Sequence, residues 1–407
     1  MDNPFTPSFG VSPPLLVGRT PILEAVRWAM SEGVGSPGRA TLITGVRGTG
    51  KTVSLNKIED EARAAGWQVI SVSARPGMTR ELTDSILPEL LHQADPEAMT
   101  STVTGANASI AGLGAGLTRS QTDHHPVTPS LRSQLTTLTS FTERVGTGVL
   151  LSVDELNRRS ADDLAQLLQT VQHGFREGQQ LALVAAGLPH DVNALLQEEG
   201  TTFLRRAERH HLGPITPAET REALEEPIRV AGRAIDTPAL EHAVAASRGY
   251  PFLVQLIGRH TWNADPAAEQ ITLEHAREGA RASARRIGQL VHEPALSPLP
   301  GRQRQFLDAM SVDDGPSHVR DIAHRMGVDT NNVNIYRRRL IDADLIHPAG
   351  FGLVDYSLPY LREHLRDPSA STATSRPGGS GWDSIPTPDV RSRRDAPSPD
   401  DPAPATE

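Results

Sequence analysis

The chain has 407 residues, 37% hydrophobic and 22% charged, with a formal net charge of −9 and no cysteine. That length exceeds one ordinary core and predicts about two to three domains. The missing cysteines exclude a disulfide framework and thiolate metal sites, and the acidic balance excludes a body that is basic all over, so nucleic acid is left only a local patch.

Residues 1–20 read as an extended strap, with prolines in Val11-Ser-Pro-Pro-Leu-Leu-Val-Gly-Arg19, and an amphipathic helix is predicted from about Pro21 to Ser31. The apolar run Ala40-Thr-Leu-Ile-Thr44 then leads into Gly45-Val46-Arg47-Gly48-Thr49-Gly50-Lys51-Thr52, a complete P-loop, or Walker A motif. Its glycines let the backbone curl so that N–H groups face an anion, and the helix starting near Lys51 points its positive end at the same place. Lys51 is expected to reach the β- and γ-phosphates of ATP, and the Thr52 hydroxyl to take one position on Mg²⁺. Only two lysines, Lys51 and Lys57, occur among 40 basic residues. A chain that otherwise uses arginine has its compact ammonium where phosphate requires one.

A helix to about Ala65, a strand over Trp67–Ser73 and a second helix over about Thr79–Gln93 follow. Residues 96–128, rich in Ala, Gly, Ser and Thr, are either a flexible insertion or a small-residue hairpin. His124 and His125 beside Asp123 lack further ligands at metal spacing and are discounted. Leu131–Val145 reads as a helix, and Gly148-Val-Leu-Leu-Ser-Val-Asp-Glu155 as a strand buried on both faces. Asp154 is expected to hold Mg²⁺ through its water shell or through Thr52, and Glu155 to orient the attacking water, the pair forming a Walker B motif. Ser160-Ala-Asp-Asp163 looks like a capping box opening the next helix, and Leu181–Ala186 like another strand, running into Gly187-Leu-Pro-His190 and a short helix. Alternating strands and helices predict an α/β fold with a parallel sheet and helices on both faces. In Phe203-Leu-Arg-Arg206, Arg205 or Arg206 is a candidate arginine finger for a neighbouring subunit's nucleotide.

From Thr216 the texture turns helical. Thr216-Pro-Ala-Glu219 is a capping box, Thr237-Pro238 opens a second helix, Gly249-Tyr-Pro-Phe252 interrupts before a third, and Ile271–Val291 supplies a fourth. Residues 294–300 read as a proline-punctuated linker. Beyond it, Val319–Met326, Gly327 and Thr330–Leu340 form a helix-turn-helix, with Leu345-Ile346 and Phe351–Val354 as wing strands around His347–Gly350. Asn331, Asn332 and Asn334 suit base edges or phosphates, with Arg337, Arg338 and Arg339 behind them. Over 302–366 nine arginines balance nine acids, so a winged helix used for protein contacts stands beside the duplex-DNA reading. The expected organisation is therefore strap 1–20, ATPase core 21–215, helical lid 216–293, winged helix-turn-helix 299–366 and disordered tail 367–407. No run of about 18 apolar residues occurs, and Met1-Asp-Asn-Pro-Phe5 lacks the regions of a signal peptide, so a cytoplasmic protein with no membrane partner is expected.

From about Pro13 to Arg366 the chain resembles the AAA+ ATPases, most closely the origin-recognition-complex-like branch with a C-terminal winged helix. The resemblance rests on Val17-Gly18-Arg19 in the adenine-side strap, the P-loop, the Asp154-Glu155 pair, the 203–206 region and the helical lid. It implies ATP hydrolysis, a nucleotide-driven switch or assembly factor engaging DNA, and a homo-oligomer sharing arginine fingers. Two departures stand out. The strand over 181–186 runs into Ala-Gly where such ATPases place a polar γ-phosphate sensor, and Gly249-Tyr-Pro251 stands where many carry a sensing arginine. The Gly-x-Pro is similar to signal-transducing STAND ATPases and implies slow turnover. A STAND-like signalling regulator and a transposition-type target-selection ATPase are the alternative readings.

Overall fold

The computed structural model describes residues 2–8, 10–94, 129–198 and 201–366. The expectations for the 96–128 segment, with His124 and His125, and for the 367–407 tail lie outside them.

Five parallel strands form the central sheet, β1 (Ala40–Thr44), β2 (Gln68–Ser73), β3 (Val149–Leu156), β4 (Leu181–Gly187) and β5 (Glu208–His211), in the spatial order β2-β3-β4-β1-β5. Around them lie α1 (Thr20–Glu32), α2 (Lys51–Ala64), α3 (Met78–Glu81), α4 (Leu87–Ala94), α5 (Leu131–Arg144), α6 (Ala161–Arg176) and α7 (Pro189–Leu195). The unbroken apolar runs of β3 and β4 have a cause in this layering. Leu151 and Val153 face a cluster that includes Leu87, Leu135 and Leu167, whereas their neighbour Leu150 faces Ile22, Leu55 and Ile58 on the opposite side. Leu150 and Leu151 are 0% and 1% exposed, and each burial contributes about 2 kcal/mol. The sheet's parallel strands bring the ends of β1, β3 and β4 to one edge, where a doubly covered sheet binds ligands.

One local expectation fails. Ser160 does not cap α6, because a 3₁₀ turn over Arg158–Ser160 runs into the helix and Ser160 Oγ donates to the Asn157 carbonyl at 3.1 Å. Asp163 reaches instead to the start of α3, where it accepts from the Gly77 and Thr79 amides at 3.0 Å each. Desolvation would raise its pKa, but hydrogen bonds from the Thr79 hydroxyl and then from these two amides hold the carboxyl below the ordinary range.

Next come α8 (Pro217–Val230), α9 (Thr237–Ser247), α10 (Pro251–Ala264) and α11 (Leu273–Ile287). The capping box at Thr216 forms as expected: Glu219 N donates to Thr216 Oγ1 at 3.2 Å, and Thr216 N donates to Glu219 Oε2 at 2.7 Å. Residues 271–272 are not helical; β6 (Ala234–Ile235) pairs in parallel with β7 (Gln270–Ile271), an element too short to show periodicity. The strap is anchored by Phe5, fully buried against α10, where a Cβ on Gly258 would lie 2.5 Å from the ring.

The C-terminal region comprises α12 (Glu293–Leu296), α13 (Gly301–Ser311), β8 (Ser317–His318), α14 (Val319–Met326), α15 (Thr330–Asp342), β9 (Ile346–Gly350), β10 (Leu353–Tyr356) and α16 (Leu361–Arg366). Its strands form an antiparallel sheet in the order β8-β10-β9. The hairpin turns at Phe351-Gly352, with Gly352 at φ +70°, so His347–Gly350 lies in a strand instead of looping between two. The 294–300 segment is helical at its start because Pro294 sits in a first turn, where no amide is needed. One apolar core runs through it, from Tyr250 and Leu253 by way of Ile287 and Leu296 to Phe306 and Leu340.

Candidate functional site

The site begins with the turn that β1 feeds. Gly48 and Gly50 have φ of +78° and +90°, conformations that cost other residues strain, and Gly50 is the N-cap of α2. At Gly45 space decides, since a Cβ would lie 2.6 Å from both Leu212 O and Thr49 Oγ1. Lys51 folds back over the loop, donating to the Gly45 carbonyl at 2.8 Å and the Val46 carbonyl at 3.1 Å. Burial lowers the ammonium's pKa, opposed by Asp154, then Asp344, and more weakly by Glu155.

The two acids on β3 take different directions. Asp154 Oδ2 accepts from Thr52 Oγ1 at 2.6 Å, which joins the predicted metal pair directly. Between Val153 and Leu156 the register shifts, and Glu155 occupies the left-handed region at φ +57° with an exposed side chain. Strand alternation is therefore not what separates the carboxylates; a bulge does it, at a cost of about 1–3 kcal/mol in strain. Asn157 supports the bulge from below, donating to the Ala74 and Glu155 carbonyls at 2.7 Å each.

A cavity of about 170 Å³ extends from this turn between the strap and α10. Val17, Arg19, Gly48, Thr49, Gly50, Lys51 and Thr52 line it, together with Thr6, Ile215, Phe252 and Gln255; Gly18, Gly45, Val46 and Arg47 do not. Gly18 turns the strap at φ +66°, and the buried Arg19 guanidinium locks strap to P-loop by donating to Thr49 O at 2.9 Å and Gly213 O at 3.3 Å. The Gly249-Tyr-Pro251 motif reaches the same loop, since the Tyr250 hydroxyl donates to the Arg47 carbonyl and occupies the space a Cβ on Gly48 would need. Burial raises the pKa of that phenol well above its ordinary value.

The donor set fits a nucleotide with a divalent cation. Free amides at the start of α2, the Lys51 ammonium and a hydroxyl–carboxylate pair suit phosphate and a hard, oxygen-seeking ion. Among the described residues no cluster of three His, Cys, Asp or Glu could hold a metal by itself.

The other predicted residues lie elsewhere. Arg205 and Arg206 are exposed in a 3₁₀ turn before β5, at the sheet edge opposite the P-loop, with Arg205 Nε donating to Leu196 O at 2.8 Å. On α15 the exposed side carries Asn331, Asn332, Asn334, Arg338 and Arg339, while Arg337 turns half-buried. Asn332 and Asn334 are engaged locally, donating to Asp329 Oδ2 at 2.7 Å and Thr330 O at 2.8 Å. The sequence reading assigned no role to His190 or Asp344, which meet beside the site. For His190 a signal existed: it is a polar residue just beyond the strand between β1 and β3. For Asp344 none did, because the contact joins residues 154 positions apart.

A strand, a glycine turn, a lysine and a hydroxyl meeting a strand-end aspartate define a P-loop nucleotide site. The surrounding sheet is that of an AAA+ P-loop NTPase. Residues 15–184 match the AAA ATPase domain, and residues 289–365 match a domain of unknown function, DUF8462. Among solved structures, the Walker-type ATPase PABY2304 of Pyrococcus abyssi superposes with a TM-score of 0.58 at 15% identity, over 86% of this chain and 96% of that one. The Aeropyrum pernix ORC2 protein, in its ADPNP–ADP complexes, gives a TM-score of 0.57 at 15% identity, over 89% and 96%. No curated protein matches the chain. Among the described residues no helix is long and apolar enough to cross a membrane.

Proposed function

We propose that the chain binds ATP with Mg²⁺ and hydrolyses it slowly, as a nucleotide-driven switch or assembly factor that engages duplex DNA. The observation that carries the nucleotide half is the Thr52–Asp154 contact of 2.6 Å beside the half-buried Lys51. Thr52 and Asp154 would hold the cation, which supplies charge neutralisation on the phosphates. Lys51 exchanges its two carbonyl partners for phosphate oxygens, and Glu155 orients the attacking water from its bulge. The loop amides from Gly45 to Thr52 bind, Val17 of the strap flanks the base, and Gly18 makes the turn that sets Val17 there. Arg205 or Arg206, exposed at the opposite edge, would act on a neighbouring copy's nucleotide.

The helix and strand order α13-β8-α14-α15-β9-β10 supports reading 299–366 as a winged helix, with 216–293 as the lid. Arg338 and Arg339 would contact phosphate, Arg337 would add charge from the side, and Asn331 has the freest side chain for a base edge among the three asparagines. One observation favours the signalling alternative: the winged unit shares its apolar core with the lid and with Val46 of the P-loop, which suits protein contacts within a switch. The deciding experiment is ATP turnover of the full chain with and without duplex DNA at low salt. Stimulation by DNA supports the first reading; turnover indifferent to DNA, with no shift of duplex, replaces it with the signalling one.

A further inference from the structure

Away from the phosphate turn, the cavity is walled mainly by apolar side chains, among them Pro13, Leu15, Leu16, Ile215 and Val254. Two polar side chains break that wall, Thr6 from the strap and Gln255 from α10. Thr6 Oγ1 is buried with no hydrogen-bond partner, a state that a native fold keeps only where something else satisfies the hydroxyl. Gln255 is oriented by its neighbour: the Thr6 amide donates to Oε1 at 3.3 Å, which turns Nε2 the other way as a donor. The strap is pinned just before these groups. Asn3 Nδ2 donates to Arg259 O at 3.0 Å and to Asn263 Oδ1 at 2.8 Å, Phe5 N donates to Asn3 Oδ1 at 2.9 Å, and the Phe5 ring is buried against Gly258. A hydroxyl and an amide are thus held side by side on a rigid support before any ligand arrives.

We propose that Thr6 and Gln255 read the edge of the nucleobase and select adenine over guanine, an inference that rests on the site binding a nucleotide. The edge of adenine carries one donor, its exocyclic amine, and one acceptor, the neighbouring ring nitrogen. Thr6 Oγ1 accepts from the amine and Gln255 Nε2 donates to the ring nitrogen, so the two polar groups of the wall and the two of the base satisfy each other. Guanine brings three such groups, a carbonyl oxygen, a ring N–H and an exocyclic amine. Two side chains cannot pair all three, and the third is buried unsatisfied among aliphatic neighbours. The phosphate turn meets the same phosphates in either nucleotide and makes no such choice.

The test uses the full chain and two variants, Thr6→Val and Gln255→Glu, with affinities for the Mg²⁺ complexes of ATP, GTP and purine riboside triphosphate measured by calorimetry. The wild type should prefer ATP to GTP by about tenfold or more. Thr6→Val keeps the shape of the side chain and removes the hydroxyl, so it should weaken ATP by about five- to tenfold. Purine riboside triphosphate lacks the exocyclic amine, and the same variant should bind it as well as the wild type does. A residue that only braced the strap would weaken both nucleotides alike. Gln255→Glu still accepts from the Thr6 amide but replaces the Nε2 donor by a second acceptor, so ATP should weaken by about tenfold while GTP, with two adjacent donors, tightens. Equal affinity of the wild type for ATP and GTP, equal losses of ATP and the amine-free analogue in Thr6→Val, or an unchanged ratio of ATP to GTP in Gln255→Glu would overturn the proposal and leave the nucleotide reading standing. Should Thr6→Val fail to fold, the ratio in Gln255→Glu decides. A wild type that binds none of the three nucleotides would overturn the ATPase reading and this inference with it.

Discussion

At Glu155 the backbone and the chemistry pull in opposite directions. A residue with a Cβ is held at φ +57° by the bulge in β3, and what it gains is a carboxylate projecting clear of the strand. Glu155→Gln should bind ATP with wild-type affinity and lose turnover by about 10²-fold or more, measured in single-turnover assays. Glu155→Asn should do the same to turnover and also raise stability by about 0.5–1 kcal/mol, because asparagine tolerates the left-handed region. A lower melting temperature in Glu155→Asn would show that the bulge is held by the glutamate side chain and not by Asn157. Lys51→Ala should abolish ATP binding in calorimetry while leaving the fold intact. The residues to which these roles are proposed could be picked out in the sequence because a phosphate-binding turn and a strand-end acid pair are local patterns. The φ of Glu155 was not, since it arises from a register shift against β4 that no local pattern encodes.

Among the elements, four of the five sheet strands could be read directly, β3 and β4 most plainly because both their faces are covered and their apolar runs are unbroken; β5, Glu208-Arg-His-His211, was missed because it is a short, polar, partly exposed edge strand. What misled was local chemistry with two solutions. Ser160 and Asp163 have capping-box spacing, yet Asp163 satisfies the distant amides of Gly77 and Thr79; the prolines of 294–300 look like a linker, yet Pro294 starts a helical turn. The strap shows what an element gains from tertiary burial alone. Phe5→Ala should cost about 3–5 kcal/mol, because it leaves a cavity beside Gly258 that the backbone cannot fill. Denaturant titration of the full chain reads that loss directly. A second element-level prediction concerns the π turn Gly288–His292 after α11. There His292 is fully buried, its Nε2 directed at Pro359 O at 2.9 Å and its ring 5.1 Å from that of His364 on α16. Burial, with the neighbouring imidazole, depresses its pKa to about 3, only partly offset by the Pro359 carbonyl. The folded state therefore resists a proton that the unfolded chain accepts near 6.5, and stability falls as pH drops below that value, by about 1–2 kcal/mol at pH 5. His292→Asn should be less stable at neutral pH and show a shallower decline over the same window; an unchanged slope would assign the acid sensitivity to other groups.

For the whole molecule, charge and core continuity set the terms. With a net charge of −9, the body as a whole does not attract a duplex, so the proposed DNA contact rests on the local charge of α15. Replacing Arg337, Arg338 and Arg339 by alanine should weaken binding to all sequences and flatten its salt dependence by about two units of slope, matching the two exposed arginines and not three. Titration of fluorescent duplex across a salt series measures that slope; a loss confined to one sequence would mean that the arginines read bases. A further consequence comes from Val46, which stands in the phosphate turn and also packs against the core of the C-terminal unit. Phosphate turn and core share a side chain, so the free energy coupling them is one quantity seen from two ends. Whatever factor a nucleotide imposes on the affinity of a partner seated on α15, that partner must impose on the nucleotide, and an assay at either end measures both.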